Sequence, residues 1–159
     1  MKRLYVYWIG ALVISGIGFY YVNVMTVSPD VISGNGNLGL LVSILFLPVW
    51  VMGLYWSYRV ARNRSQNQQK VYLFILIVVL LICGSLLAFP LINNAHELIN
   101  HLGGTPTDPD SVIYRFGWLN QYTNSMFFNL YTFLIIHILA VVIGIISAIF
   151  ISYRDLESF

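Results

Sequence analysis

Three potential metal ligands, His96, Glu97 and His101, lie close together in one segment of the chain. Imidazole and carboxylate groups are typical ligands of zinc and other transition metals. A helical zinc site places its two histidines at i and i+4, so that both rings share one face. Here the spacing is i to i+5, which at 100° per residue turns the rings about 140° apart. The trio is therefore a candidate metal site that needs a further ligand from elsewhere, such as Asp108 or Asp110.

His137 lies near the middle of a long apolar run, whereas the other two histidines lie outside such runs. An imidazole in hydrocarbon needs a polar partner, so a residue of this kind is a candidate functional residue. Three roles stay open for it: a hydrogen bond to another helix, the lining of a polar pocket or proton path, and ligation of a haem or metal cofactor. Because no second histidine is expected at this depth, a bis-histidine haem site would require a second chain.

Ala140, Gly144 and Ala148 follow His137 at a spacing of four residues. Small residues at this spacing allow two helices to approach closely in a membrane. His137 is within one helical turn of this series, so we expect it to face protein rather than lipid. The series predicts a helix-packing face, used either within the chain or against a partner.

Gly34, Gly36 and Gly39 match the pattern G-x-G-x-x-G. In dinucleotide-binding proteins this pattern follows a strand and lies within a βαβ unit. Here an apolar run long enough for a membrane helix precedes the glycines. We therefore expect a flexible turn at this position and no nucleotide site.

The overall composition indicates that all of these residues are carried by membrane helices. Of the 159 residues, 58% are hydrophobic and 9% are charged, whereas soluble proteins have about 25% charged residues. One small core cannot hide so much apolar surface from water. The composition excludes an ordinary soluble enzyme, a disordered chain and a soluble nucleic-acid-binding protein.

Four apolar runs without acidic or basic residues are long enough to cross a bilayer, which takes about 20 helical residues. They predict transmembrane helices at residues 4–24, 38–58, 71–92 and 126–153. The first run is too long for a signal peptide and lacks a small-residue cleavage site, so we expect a retained helix. The predicted fold is a single all-α integral membrane domain, residues 1–159, arranged as an up-down bundle of four transmembrane helices.

The basic residues predict the orientation of this bundle. In a four-span topology, one side of the membrane receives Lys2, Arg3, Arg59, Arg62, Arg64, Lys70 and Arg154, and the other side receives Arg115. Lys and Arg are enriched on the cytoplasmic side, so both termini are expected in the cytoplasm. Trp8 and Trp118 lie where an aromatic belt is expected. The short basic loop favours a bacterial plasma membrane.

Residues 93–125 are predicted to form an outer amphipathic helical hairpin between the third and fourth membrane helices. After Pro90, apolar residues recur at helical spacing as far as Leu102, with polar residues between them. Gly103 is expected to end this helix, and Asp110 or Ser111 to cap a second short one. We expect the pair to lie on the outer membrane surface or to cover the bundle.

These features favour a non-catalytic accessory or partner-binding subunit of a larger membrane complex. The sequence contains no recognisable catalytic set, while the small-residue face and the amphipathic hairpin are potential docking surfaces. The expected partners are the lipid bilayer and either another membrane protein or a second copy of the chain. Two alternatives stay open: a redox protein that binds haem or a metal through His137 or through His96 and His101, and a small transporter or lipid-binding protein with a pocket around His137 and Pro48.

Overall fold

The computed structural model describes residues 2–34 and 36–157, with side chains as far as residue 151. Of the predicted domain, Met1, Asn35, Ser158 and Phe159 lie outside the described residues, as does the side chain of Arg154. The described part consists of helices and connecting segments and contains no strand. The helices are α1 (Lys2–Val24), α2 (Leu38–Ser65), α3 (Lys70–His101), α4 (Val112–Phe116), α5 (Asn124–Phe127) and α6 (Leu130–Glu157).

Four segments are long and apolar enough to cross a membrane. They are the helices α1, α2 and α3 and the segment Asn124–Ile151, which contains α5 and most of α6. This confirms the all-helical fold and the four helices expected of a multi-pass membrane protein.

Two helices extend beyond the predicted apolar spans. α2 passes residue 58 and includes Arg62 and Arg64 in its last turn, where positive charge interacts favourably with the helix dipole. α3 contains Pro90 and continues to His101 without a break. Proline is tolerated inside membrane helices, because neighbouring groups take over the freed backbone partners. The segment predicted as the first helix of the hairpin is therefore the C-terminal end of α3.

Two glycines end α3. The Gly103 N–H donates to Asn100 O at 3.1 Å and the Gly104 N–H donates to Ile99 O at 3.0 Å. This is the hydrogen-bond pattern of a Schellman cap. Gly103 has φ +82°, a left-handed conformation that favours glycine. The chain then turns to α4, where the Ser111 side chain caps the helix by accepting from the Tyr114 N–H at 2.9 Å.

The described residues group into two compact units, and each long helix contributes a segment to both. Unit 1 comprises residues 2–15, 48–87 and 134–157, and unit 2 comprises residues 16–47 and 88–133. In unit 1 the core is formed by Ala61 of α2, Leu73 of α3 and Ile145 of α6. In unit 2 the buried apolar side chains include Phe19 and Ile113.

The outer surface of α3 is strongly apolar. Within its most apolar window only 6% of the residues are buried, and the exposed side chains there include Phe74, Ile82 and the thiol of Cys83. In water such a surface would be strongly unfavourable, but hydrocarbon solvates it well. The exposure of α3 therefore fits a helix in contact with lipid.

Candidate functional site

His137 lies at the centre of a buried hydrogen-bonded cluster in unit 1. Its side chain is 8% exposed on α6, and its Nδ1 is 2.9 Å from the Oγ of Ser57 on α2. The Trp8 indole of α1 donates from Nε1 to the same Ser57 oxygen, also at 2.9 Å. One serine hydroxyl thus connects three helices, and His137 faces protein as the sequence predicts.

One hydrogen bond of this cluster has a fixed direction. An indole N–H can only donate, so the Ser57 oxygen accepts from Trp8. The direction of the bond between Ser57 and His137 depends on the tautomer of the ring, because the serine oxygen has two lone pairs and can accept a second hydrogen bond. A ring with its hydrogen on Nε2 accepts at Nδ1 from the Ser57 hydroxyl, whereas ligation of a haem or metal through Nε2 would require Nδ1–H to donate to Ser57. In either tautomer the bond joins α6 to α2.

A glycine makes room for the imidazole. Gly53 lies one turn before Ser57 on α2, and a Cβ at this position would be 3.4 Å from His137 Cε1 and 2.9 Å from the Oγ of Ser15. The same region carries a second link between α1 and α2, in which Trp50 Nε1 donates to the backbone oxygen of Ser15 at 3.2 Å. The close approach of these helices therefore depends on Gly53.

The predicted small-residue face packs within the chain. A Cβ on Gly144 would lie 2.5 Å from the backbone oxygen of Tyr58 and 2.9 Å from the Cβ of Ala61, both on α2. Ala148 is buried and Ala140 is half-buried. Of the series Ala140, Gly144 and Ala148, Gly144 thus packs closely against α2. One turn further, the Tyr58 hydroxyl and Ser147 Oγ are 3.1 Å apart.

The predicted metal ligands lie on the last turns of α3. His96, Glu97 and His101 are exposed there. Among the described side chains, residues 2–34 and 36–151, no three of His, Cys, Asp or Glu come close enough to hold a metal ion. The carboxylate of Asp108 instead accepts from the Thr105 N–H at 2.7 Å and closes a turn. A metal site at the end of α3 stays a hypothesis without a complete set of ligands.

Unit 2 contains a polar network that we did not predict from the sequence. The Asn37 side chain accepts from the Leu40 N–H at 2.9 Å and so caps α2, and it also pairs with the side chain of buried Asn124. Thr123, equally buried, donates to Trp118 O at 2.6 Å and accepts from the Asn120 N–H at 3.0 Å. These side chains hold the connection between α4 and α6 in one conformation.

The chain from the N-cap of α4 to the first residue of α5 exposes large apolar side chains. We refer to residues 111–124 as the connecting segment. Its exposed members include Phe116, with 64% of its side chain accessible, together with Tyr114, Trp118 and Leu119. The network of Asn120, Thr123 and Asn124 lies on the buried side of the segment. The sequence signal for this arrangement is a cluster of Asn and Thr with short spacing, which is typical of hydrogen-bonded turns.

The geometry of unit 1 resembles a helix-joining cluster more than a reactive centre. Its polar side chains lie between helices, and each polar link described above joins two of them. Comparison with known proteins adds no identification: no family model, curated protein or solved structure matches the chain.

Proposed function

We propose that the chain is a non-catalytic accessory subunit that binds another membrane protein. We further propose that it lies in a bacterial plasma membrane with both termini in the cytoplasm. The connecting segment then lies on the outer side, together with the C-terminal end of α3. The excess of Lys and Arg in the α2–α3 loop and near the N-terminus supports this orientation.

The hydrogen bonds of unit 1 support a non-catalytic role. The groups on which catalysis by His137 would depend are engaged in joining helices: Ser57 bonds to both Trp8 and His137. Interhelical hydrogen bonds of this kind stabilise membrane proteins and specify which helix faces meet. A stable scaffold is what a subunit needs when its task is to present a surface to a partner.

The connecting segment carries the proposal. Exposed aromatic side chains are enriched in protein interfaces, where they supply large contact areas at a low entropic cost. Here Trp118 projects from a turn that the buried side chains of Asn120 and Thr123 hold in place. Tyr114 and Phe116 project from α4, which the buried Ser111 side chain caps. Because this segment is ordered before binding, little conformational entropy is lost when a partner covers it.

Co-purification tests the proposal. The tagged protein is expressed at its natural level, extracted from membranes of its host in a mild detergent and isolated with any bound protein. The test variant truncates the exposed aromatic side chains Tyr114→Ala, Phe116→Ala and Trp118→Ala. We expect a defined partner in the native sample, and its recovery to fall by about tenfold or more in the variant.

A matched control removes three equally exposed aromatic side chains from α3. It carries the substitutions Tyr72→Ala, Phe74→Ala and Phe89→Ala, all at exposed positions. This control is expected to retain the partner. A lone monomer in the native sample would contradict the proposal, and so would an equal loss of partner in both variants. If the protein that the test variant fails to recover is a second copy of this chain, the partner is the chain itself.

The orientation has its own test. In a Cys83→Ser background, single cysteines replace exposed Asn67 in the α2–α3 loop or exposed Asp110, which immediately precedes the connecting segment. A membrane-impermeant maleimide added to intact cells is expected to label the cysteine at 110 and to label the cysteine at 67 only after lysis. The reverse pattern would show the opposite orientation.

A further inference from the structure

Unit 2 contains an apolar cleft between its parts of α1 and α6. The cleft has a volume of about 340 Å³, which is in the range of small-ligand sites. Three aromatic side chains and Leu130 form its apolar wall, Gly16 lies at one end and two asparagines lie at the other. The residues that line the cleft include Gly16, Phe19, Tyr20, Asn23, Asn129 and Phe133.

A second cleft, with a larger share of polar residues in its lining, adjoins the first. It has a volume of about 200 Å³ and lies within unit 2, where α1, α3, α5 and Asn129, the residue before α6, meet. Its polar lining consists of Asn23, Asn94, Ser125 and Asn129. Asn23 and Asn129 line both clefts, so the two adjoin at these residues. We refer to the two clefts together as the channel, with an apolar end at Gly16 and a more polar end at Asn94.

Because glycine has no side chain, Gly16 helps to keep the apolar end open. A Cβ there would have a single neighbour within 4 Å, Phe133 Cζ at 3.8 Å. From Gly16 to Asn23 a helix rises about 10 Å, at roughly 1.5 Å per residue. The apolar end is therefore long enough for a short stretch of hydrocarbon chain. Tyr20 and Asn23 are exposed, so the channel can be entered from the side.

The asparagines of the polar end differ in their availability. Asn129 is already engaged, since its Oδ1 accepts from the Thr132 N–H at 3.0 Å and its Nδ2 donates to Ser125 O at 2.8 Å. The side chains of Asn23 and Asn94 have no hydrogen-bond partner among the described residues. Each has one amide oxygen and one NH₂ group with which to bind a ligand. None of the described residues that line the channel is charged.

We propose that this channel binds one molecule of an uncharged amphiphile. The hydrocarbon chain lies along Phe19 and Phe133 and ends near Gly16, and hydroxyl or amide groups of the head bind Asn23 and Asn94. An anionic head would have to shed water without meeting a positive side chain, which is strongly unfavourable. The site thus selects neutral lipids over lipids with a phosphate head. It shares no residue with the exposed aromatic side chains of the connecting segment.

Photo-crosslinking in phosphatidylcholine vesicles tests the site. Two probes carry the same diazirine-labelled acyl chain, one as a monoacylglycerol and the other as a lysophosphatidic acid. The labelled peptides of the reconstituted full-length protein are identified by mass spectrometry. We expect the monoacylglycerol probe to label the walls of the channel, residues 16–23 of α1 and 130–133 of α6. Labelling there by the lysophosphatidic acid probe should be about tenfold weaker.

Three variants locate the site. Gly16→Leu places a side chain in the apolar end, and we expect it to reduce labelling of the channel about tenfold. Gly10→Leu makes the same change in the same helix where a Cβ would have no neighbour within 4 Å, and it should leave this labelling unchanged. Combining Asn23→Leu with Asn94→Leu removes two hydrogen-bonding groups, which predicts a loss of about tenfold for the monoacylglycerol probe.

Circular dichroism melting of Gly16→Leu and Gly10→Leu shows whether both variants fold equally well. If Gly16→Leu melts like its control and still labels at the native level, the channel is not the binding site. Labelling spread evenly over the exposed helix faces, or equal labelling by both probes, would also overturn the proposal. Partner recovery in the co-purification experiment should not respond to Gly16→Leu, so each proposal can fail without the other.

Discussion

Removing the Ser57 hydroxyl is the most direct perturbation of the cluster around His137. The Ser57 oxygen is 2.9 Å from both Trp8 Nε1 and His137 Nδ1. Ser57→Ala therefore deletes two hydrogen bonds at once and leaves an indole N–H and a ring nitrogen without this partner. Both groups lie between helices in the native protein, so the lost bonds should lower the free energy of unfolding.

The size of the effect follows from the number of bonds. Interhelical hydrogen bonds in membrane proteins contribute about 0.6 kcal/mol on average and up to about 1.7 kcal/mol. For two bonds we expect Ser57→Ala to lower the free energy of unfolding by about 1–3 kcal/mol. Combining Ser57→Ala with His137→Phe in a double-mutant cycle isolates the bond to the ring, with an expected coupling of about 0.6–1.7 kcal/mol.

Reversible unfolding in mixed micelles measures both quantities. The purified protein is titrated with sodium dodecyl sulfate, and helix content is followed by circular dichroism. Ser85→Ala is the matched control, because Ser85 is exposed on α3 and donates to Leu81 O of the same helix at 2.9 Å. This control should change stability very little.

Two results would refute the reasoning. Ser57→Ala could prove as stable as Ser85→Ala, which would mean that the hydroxyl does not join the helices. Alternatively, Ser57→Ala and His137→Phe could each destabilise the protein without any coupling between them. In that case the imidazole would be held by other contacts, and the structural role assigned to its bond with Ser57 would be wrong.

Two further substitutions test the packing of each unit by the same unfolding assay. Gly144→Ala forces a methyl group against the backbone oxygen of Tyr58, so we expect the free energy of unfolding to fall by about 2–3 kcal/mol. Its control is Gly10→Ala, where the added methyl group meets no neighbour. This control should leave the free energy of unfolding unchanged or raise it by up to about 1 kcal/mol. Thr123→Val removes two buried hydrogen bonds and should cost about 1–3 kcal/mol. Thr26→Val, which loses a bond only to Val22 O in the adjacent last turn of α1, should cost much less. Equal losses in the two threonine variants would contradict our account of the connecting segment.

The membrane helices could be predicted because hydropathy is a local property. A run of about 20 apolar residues predicts a membrane helix whatever it packs against. The inward position of His137 was also predictable, since small residues at a spacing of four lie one turn away on the same helix. The structure confirms close packing at Gly144, the central residue of that series.

The partners of these residues could not be predicted, because each pair is far apart in the sequence. Nothing local indicates that Trp8 donates to Ser57, and composition alone places this tryptophan in an aromatic belt. The helix stop at Gly103 was predicted correctly, but the continuity of α3 was not. Residues 71–92 and the helical segment after them were expected to form two helices, whereas in the structure α3 runs through Pro90 to His101 without a break.

The exposed thiol on α3 gives the molecule a built-in reporter. Cys83 is the single cysteine of the chain, and it lies on the apolar outer surface of that helix. A nitroxide attached there needs no mutagenesis, and paramagnetic oxygen and a water-soluble nickel chelate would compete to relax its signal. Strong relaxation by oxygen and weak relaxation by nickel would place the label in the hydrocarbon of the membrane. The ratio of the two would measure the depth of residue 83 in the bilayer without any change to the sequence.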